Sequence, residues 1–183
     1  VLKSLFDLKN LKEKNSSIKA LAYQLYENNG VLKRENVIEY LKDVKQIDRK
    51  ILRDLGVKFG RYHIFLYKLI KPEAVSLRTL LWKNYHQKYL KLEPPIFGLN
   101  FVEDNKNYNK EFMLLCGFEK FNNFYVRIDI LERLFMQIIK SETDKNKEIK
   151  MVPEMLNLLG CNKENFLKLI KKMNYNVSLE NDK

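Results

Sequence analysis

Basic and aromatic side chains occur together in residues 58–91, and both kinds could contact a nucleic acid. Eight residues of this stretch are basic and one, Glu73, is acidic, so it carries a net charge of +7 out of +11 for the whole chain. The basic residues are Lys58, Arg61, Lys68, Lys71, Arg78, Lys83, Lys88 and Lys91. The aromatic residues are Phe59, Tyr62, Phe65, Tyr67, Trp82, Tyr85 and Tyr89. Because cations neutralise phosphates and flat rings stack on bases, this composition favours a nucleic-acid surface.

The composition of the whole chain is that of a basic globular protein. Of its 183 residues, 45% are hydrophobic and 31% are charged, enough to bury a core in one domain or in two small ones. The excess of 34 basic over 23 acidic residues favours a polyanionic partner. A compositional explanation stays open, because the chain is rich in Lys, Asn and Ile, and lysine often lies on a solvated surface. No apolar run approaches the roughly 20 residues that span a bilayer, so we expect no membrane contact.

The sequence gives little support to other chemistries. His63 and His86 are its only histidines, and neither has an Asp, Ser or Cys at a recognisable nucleophile spacing. Cys116 and Cys161 lie far apart without neighbouring metal ligands, which argues against a zinc site and agrees with a reducing cytoplasm. Neither a phosphate-binding loop nor a dinucleotide-binding glycine pattern is present. We therefore predict a cytoplasmic chain without a catalytic residue, metal or cofactor of its own.

Residues 1–91 are expected to form a helical bundle that positions the basic stretch. Apolar residues three and four positions apart predict a first helix, capped by Ser16 or the serine after it and ended by Gly30. The same spacing predicts a second helix from about Arg34 and a third over residues 46–55.

A change of pattern over residues 57–66 predicts a strand or an extended arm. Phe, Tyr, Ile and Val dominate this run, and Gly60 in its middle indicates a bend. We expect residues 58–71 to form a basic arm with exposed cations. Pro72 suits the first turn of the next helix, which should be largely buried, with Arg78 on its solvent side.

The second half of the chain is predicted to consist of a linker and a second subdomain. Residues 92–110 contain two prolines and a glycine and are predicted to be a linker. Residues 111–183 are predicted to form a second subdomain. In it, apolar and aromatic runs at 112–118 and 124–128 predict a β-hairpin, and Asp129 caps a following helix.

The last segment predicts a helix-turn-helix after a polar loop at residues 141–150. Pro153 begins its first helix, a glycine makes the turn, and Asn162 caps its second helix. The outer face of the second helix carries Lys168 and Lys171, which could lie along a duplex groove or form a solvated face near the helix C-terminus. The expected fold class is mostly α with small β-hairpin elements (α+β), a helical bundle followed by a winged-helix-like, helix-turn-helix subdomain.

Three stretches of the sequence, in this order, resemble one known family. They read LGVKFGRYHIFLYKLIKPEAVSLRTLLW at 55–82, VRIDILERL at 126–134 and MVPEMLNLLGCNKENFLKLIKKMNY at 151–175. These strings are similar to the region that follows the motor in alphaproteobacterial superfamily 2 helicases related to the mitochondrial Suv3 RNA helicase. The family commonly has Pro, Ala, Thr and Gly at four positions where this chain has Tyr67, Lys68, Val152 and Asn174.

The resemblance implies the C-terminal accessory region of an ATP-dependent RNA or DNA helicase. Motor domains of the same parent chain would bind ATP and magnesium, while this region would bind and guide a nucleic-acid strand, with RNA favoured over DNA. The residues expected to contact the strand are Lys58, Arg61, Tyr62, His63, Lys68 and Lys71. One alternative is a docking module that binds a nuclease or the motor through aromatic residues near 90–101 and through the hairpin. Another is duplex DNA binding by the helix-turn-helix through Lys168 and Lys171.

Overall fold

The computed structural model describes residues 2–13, 15–105, 107–141 and 148–178. Helices dominate this part of the chain, and two small antiparallel sheets of three strands accompany them. The predicted class, mostly α with small β elements, is therefore confirmed. Within the described residues, no helix has both the length and the apolar character needed to cross a membrane.

The chain folds as two compact units. The first unit comprises Val1–Pro94 and Leu114–Gly117, and the second comprises Pro95–Met113 and Phe118–Lys183. The division after Pro94 lies inside the segment 92–110 that the sequence predicts as a linker. Part of that segment is a strand, Phe101–Glu103, which pairs within a sheet of the second unit.

Short helices make up most of the first unit. They are α1 Lys3–Lys9, α2 Ser16–Glu27, a 3₁₀ helix Arg34–Val37, α3 Ile38–Asp43, α4 Gln46–Asp54, a 3₁₀ helix Tyr67–Ile70, α5 Pro72–Tyr85 and a 3₁₀ helix Gln87–Tyr89. The helices predicted from Ser16, Arg34 and residue 46 are all present, whereas the sequence did not indicate α1. The predicted serine cap of α2 is wrong, because the N-cap is Asn15, whose side chain accepts a hydrogen bond from the Ser17 amide at 2.9 Å.

Glycine ends α2 as predicted, and the turn is tight. Gly30 has a φ of 79° and donates its amide to the carbonyl of Leu25. A Cβ atom at this position would lie 2.5 Å from Cδ1 of Leu69, so a larger residue would be both strained and crowded. The chain can therefore leave the helix and enter a strand at once.

A three-stranded antiparallel sheet carries the basic arm. Its strands are β1 Val31–Lys33, β2 Val57–Phe59 and β3 His63–Leu66, in the order β1-β3-β2. The predicted strand or arm thus consists of two strands on either side of Gly60, and β1 is a third strand that the sequence did not predict. Residues directly opposite each other share a face, so Leu32, Ile64 and Phe59 lie together. This face packs into a core with Ile18, Leu21, Leu25, Leu52 and Leu69.

The orientation of α5 differs from the sequence-based expectation. Arg78, expected on the solvent side, is only 4% exposed, whereas Leu80 is 52% exposed and Leu77 and Leu81 are also exposed. The buried face carries Ala74, Val75, Arg78, Thr79 and Trp82. Because α5 is apolar on both sides, its periodicity does not select the face that meets the core.

Arg78 joins three parts of the first unit through backbone carbonyls. Its Nη1 donates to the carbonyls of Leu69 at 3.0 Å and Leu115 at 3.3 Å, and its Nη2 donates to the carbonyl of Asn29. Burial lowers the pKa of Arg78 to about 10, so the guanidinium stays charged at neutral pH. Each acceptor lies at or just beyond the end of a helix, where carbonyls lack intrahelical donors. The side chain therefore stabilises the packing of three chain turns at once.

The second unit combines helices with short strands. Its elements are β4 Phe101–Glu103, α6 Lys110–Leu115, β5 Phe118–Phe121, β6 Phe124–Arg127, α7 Ile128–Ser141, β7 Glu148–Lys150, α8 Pro153–Leu159, α9 Lys163–Lys172 and β8 Asn176–Ser178. The last two residues of α6 belong to the first unit. One sheet has the antiparallel order β4-β6-β5, and β7 pairs with β8 in parallel.

The second strand of the predicted hairpin is correct, whereas part of its first strand is wrong. Strands β5 and β6 are joined at Asn122, whose φ of 46° suits a tight turn. Residues 112–115 form the end of α6 instead of a strand, because a short apolar run fits a buried helix as well as a strand. The helix predicted from Asp129 is present as α7, but it begins at Ile128, so Asp129 lies in its first turn and its carboxylate accepts hydrogen bonds from Arg127 instead of capping the helix.

The predicted helix-turn-helix is present as α8 and α9. Gly160 between them has a φ of 67°, and the side chain of Asn162 accepts the Asn165 amide at 2.8 Å. Most of the predicted loop 141–150 falls on residues 142–147, outside the described part of the chain, and its last three residues form β7. The winged-helix-like arrangement stays a prediction.

Candidate nucleic-acid interface

The turn between β2 and β3 presents one end of the basic arm. Lys58 on β2 and Arg61 in the turn are exposed, and Tyr62 is half-buried. Arg34 holds this turn, because its Nη1 donates to the Gly60 carbonyl at 2.8 Å and its own amide donates to the Tyr62 carbonyl at 2.8 Å. The position of Arg61 is therefore set by a hydrogen-bonded turn, which lowers the entropy cost of contacting a ligand.

His63 differs from the other predicted contact residues. It begins β3, lies opposite Lys33 on β1, and is only 3% exposed. A ring buried to this extent offers no face on which a base could stack. We therefore assign His63 to the packing of the sheet and not to the contact surface.

The other end of the arm combines cations with an exposed ring. Lys68 and Lys71 are exposed, and Nζ of Lys71 lies 5.6 Å from the centre of the Tyr67 ring, which is 41% exposed. Lys71 is the N-cap residue of α5, whose positive end adds to the local potential. Tyr67 is not among the contact residues predicted from the sequence, although it lies directly before Lys68.

Strand β3 separates the two ends of this surface. From His63 to Leu66 the strand advances by about 10 Å at roughly 3.3 Å per residue. Its four residues are all buried, so the surface consists of Arg61 and Tyr62 in the turn, Lys58 on β2 opposite Phe65, and a patch with Tyr67, Lys68 and Lys71 at the far end of the strand. An extended ligand could contact both ends of this surface, whereas one small anion could not.

The net charge is distributed unequally between the two units. The first unit contains 20 basic and 10 acidic residues, a net charge of +10, and the second contains 14 basic and 13 acidic residues, a net charge of +1. Together they account for the +11 of the chain. The electrostatic attraction for a polyanion therefore belongs almost wholly to the unit that carries the basic arm.

The lysines of the helix-turn-helix have a different environment. Both Lys168 and Lys171 on α9 are exposed, but Nζ of Lys168 lies 2.6 Å from a carboxylate oxygen of Glu164. This hydrogen bond is the main reason that the pKa of Glu164 is lowered. With an acidic residue on the same face and a nearly neutral unit around it, α9 is a weaker polyanion surface than the arm.

A cluster of aromatic residues lies at the end of α5, and of its members only Trp82 belongs to the stretch that the sequence predicts to be largely buried. The Trp82 ring stacks on Tyr89 with centroids 5.1 Å apart and lies 4.5 Å from His86, while Tyr85 meets His86 edge-on at 4.9 Å. Trp82 is buried, but Tyr85 is 84% exposed. The spacing of these residues, 82, 85, 86 and 89, is the signal that would have indicated a shared helical face.

The two thiols and the polar side chains do not suggest a reactive centre in the described residues. Cys116 and Cys161 are both free, and burial raises the pKa of the first to about 12 and of the second to about 11. No group of three or more potential metal ligands occurs within the part of the chain that the structure describes. Comparisons of this chain with family models, curated proteins and solved structures found no match.

Proposed function

We propose that this chain binds and guides a single nucleic-acid strand, RNA in preference to DNA, as an accessory region of an ATP-dependent helicase. The observation that carries the proposal is the net charge of +10 on the first unit, together with exposed Lys58, Arg61, Lys68 and Lys71 on a hydrogen-bonded sheet and the helix beside it. The similarity of three sequence stretches to the helicase family supports the connection to a motor.

Each part of the proposed surface has a physical role. The four cations neutralise phosphates and release condensed counterions. Tyr67, with the Lys71 ammonium near its ring, offers a flat surface on which a base can stack. Motor domains elsewhere in the parent chain would bind ATP and magnesium and supply the energy of movement.

Binding of oligouridylate by this chain, measured at several salt concentrations, tests the proposal. If each of the four cations contacts one phosphate, the slope of log K against log salt should be about −3, from roughly −0.7 per phosphate of a single strand. The matching deoxyoligonucleotide should bind more weakly. An absence of measurable affinity even at low salt would exclude strand binding.

Protein docking is a second candidate, favoured by the exposed leucines of α5. Leu77, Leu80 and Leu81 form an apolar stripe on a helix whose opposite side is buried, and such stripes commonly mark protein contacts. A nuclease or the helicase motor would be the partner. Ile96, Phe97 and Leu99, in the segment where the sequence predicted docking, are exposed in the second unit.

Replacing Leu80 and Leu81 together with serine should separate docking from strand binding. Because neither leucine carries charge and both are exposed, we expect the affinity for oligouridylate to stay within about twofold and the stability within about 0.5 kcal/mol per substitution. Fluorescence anisotropy and thermal unfolding measure the two effects. A marked loss of RNA affinity would place the strand on this face and argue against its use for docking.

A further inference from the structure

The aromatic cluster at the end of α5 has one member that packing does not account for. Trp82 is buried and Tyr89 is stacked on it, so these two rings form a packed aromatic pair. Tyr85 contacts the edge of this group through His86, yet 84% of its surface is exposed. Such a large ring, in contact with His86 and otherwise mostly exposed, is available for a planar ligand.

The backbone around the cluster is held by hydrogen bonds. The His86 amide donates to the Trp82 carbonyl at 2.9 Å, the Tyr89 amide to the His86 carbonyl at 2.8 Å, and the Leu92 amide to the Tyr89 carbonyl at 3.0 Å. These bonds continue from the last turn of α5 through the 3₁₀ helix Gln87–Tyr89. The rings are therefore mounted on regular structure, which lowers the entropy cost of stacking a ligand on them.

Cations lie beside the exposed ring in the sequence and on the same unit. Lys88 is exposed, with its Nζ 4.8 Å from the centre of the Tyr89 ring, and Lys91 is exposed three residues further on. A ligand that stacks on Tyr85 would thus meet positive charge within the same segment. Planar groups joined by phosphates are the chemistry that matches this combination.

We propose that Tyr85 is a stacking platform for one nucleobase of a single strand, with Lys88 and Lys91 contacting the adjacent phosphates. This inference rests on the proposed function and adds a base-contacting site outside the basic arm. The Tyr85 ring would contact the flat face of the base and not its edge, so any of the bases could bind. Single strands would bind better than duplexes, because the bases of a duplex are already stacked.

The test compares Tyr85→Ala and Tyr85→Phe with the unchanged chain, using oligouridylate and an abasic phosphodiester oligomer of equal length. We expect Tyr85→Ala to weaken oligouridylate binding about 10-fold, within the range known for loss of one stacked base. Tyr85→Phe should stay within about twofold, because it keeps the ring. The abasic oligomer should bind the unchanged chain and Tyr85→Ala equally. Tyr40→Ala, at another exposed tyrosine of the first unit, is the matched control and should not weaken binding.

Trp82 gives a second readout, because it is the only tryptophan of the chain. Its fluorescence should change on addition of oligouridylate and not of the abasic oligomer, and Tyr85→Ala should remove that change. Binding of oligouridylate that Tyr85→Ala leaves intact, or an equal loss with both oligomers, would overturn the platform and leave the proposed function standing. If the unchanged chain binds neither oligomer at low salt, the proposed function fails and the platform with it.

Discussion

Replacement of Arg78 by methionine is expected to lower the free energy of unfolding by about 3 kcal/mol or more, since each buried carbonyl left without a donor costs roughly 1 to 3 kcal/mol. Three carbonyls accept hydrogen bonds from this guanidinium, and the bonds to Leu69 and Leu115 are buried while the bond to Asn29 is partly buried. Methionine keeps much of the length and apolar volume, so the loss reports on the hydrogen bonds more than on a cavity. Denaturant unfolding followed by circular dichroism measures the change.

Arg53→Met is the matched control on the same unit. Arg53 is exposed, and its guanidinium lies 5.6 Å from the Phe59 ring centre, a contact worth about 0.5 to 1 kcal/mol at an exposed site. Arg78→Lys should also destabilise the chain, because one ammonium group does not have the planar fork that reaches carbonyls in different directions. A loss for Arg78→Met no larger than that for Arg53→Met would show that the three carbonyls find other donors.

Charge reversal at both Lys68 and Lys71 is expected to weaken oligouridylate binding by on the order of 10- to 100-fold at low salt and to make the salt slope shallower by about 1.4, the contribution of two single-strand phosphates. Both side chains are exposed, and glutamate in place of Lys71 would lie at the positive end of α5. The fold should therefore tolerate the double variant Lys68→Glu, Lys71→Glu. Fluorescence anisotropy titrations at three or more salt concentrations give both quantities.

The same reversal at Lys168 and Lys171 provides a control of equal charge in the other unit. Under the proposed function its effect on oligouridylate binding should be several-fold smaller, because the second unit has a net charge of only +1. A larger effect from the α9 pair, above all with duplex DNA, would transfer the binding surface to the helix-turn-helix. If both charge reversals change the affinity for oligouridylate equally and only slightly, strand binding would be contradicted and protein docking would be the better-supported function.

The sequence predicted helix ends correctly where the end is set by residues within a few positions of it in the chain. The turn at Gly160 and the cap at Asn162 were predictable because a left-handed turn and a side chain bonded to a backbone amide three residues later involve only a few residues. The same holds for the stop at Gly30. In contrast, the run at 112–115 was assigned to a strand, because a short apolar segment does not carry a distinguishing period.

The candidate site was predictable in its charges and only in part in its geometry. Lys58, Arg61, Lys68 and Lys71 are exposed as expected, because the charged ends of lysine and arginine favour contact with water. The burial of His63 could not be foreseen, since it depends on the pairing of β3 with strands on both sides, one of them the unpredicted β1. The exposure of Tyr85 likewise follows from the side of α5 that faces the core.

By itself, the sequence determined the cap at Asn162, the turns at Gly30 and Gly160, the extended backbone around Gly60 and the surplus of cations, because each depends on residue type and short spacing. Only the tertiary structure decided which side of α5 is buried, that Arg78 lies inside, and that the unit carrying the basic arm holds nearly all the net charge. The physical reason is that α5 is apolar on both sides, so its orientation depends on distant groups. Carbonyls at residues 29, 69 and 115 accept hydrogen bonds from the two terminal nitrogens of this guanidinium only after the chain has brought them together.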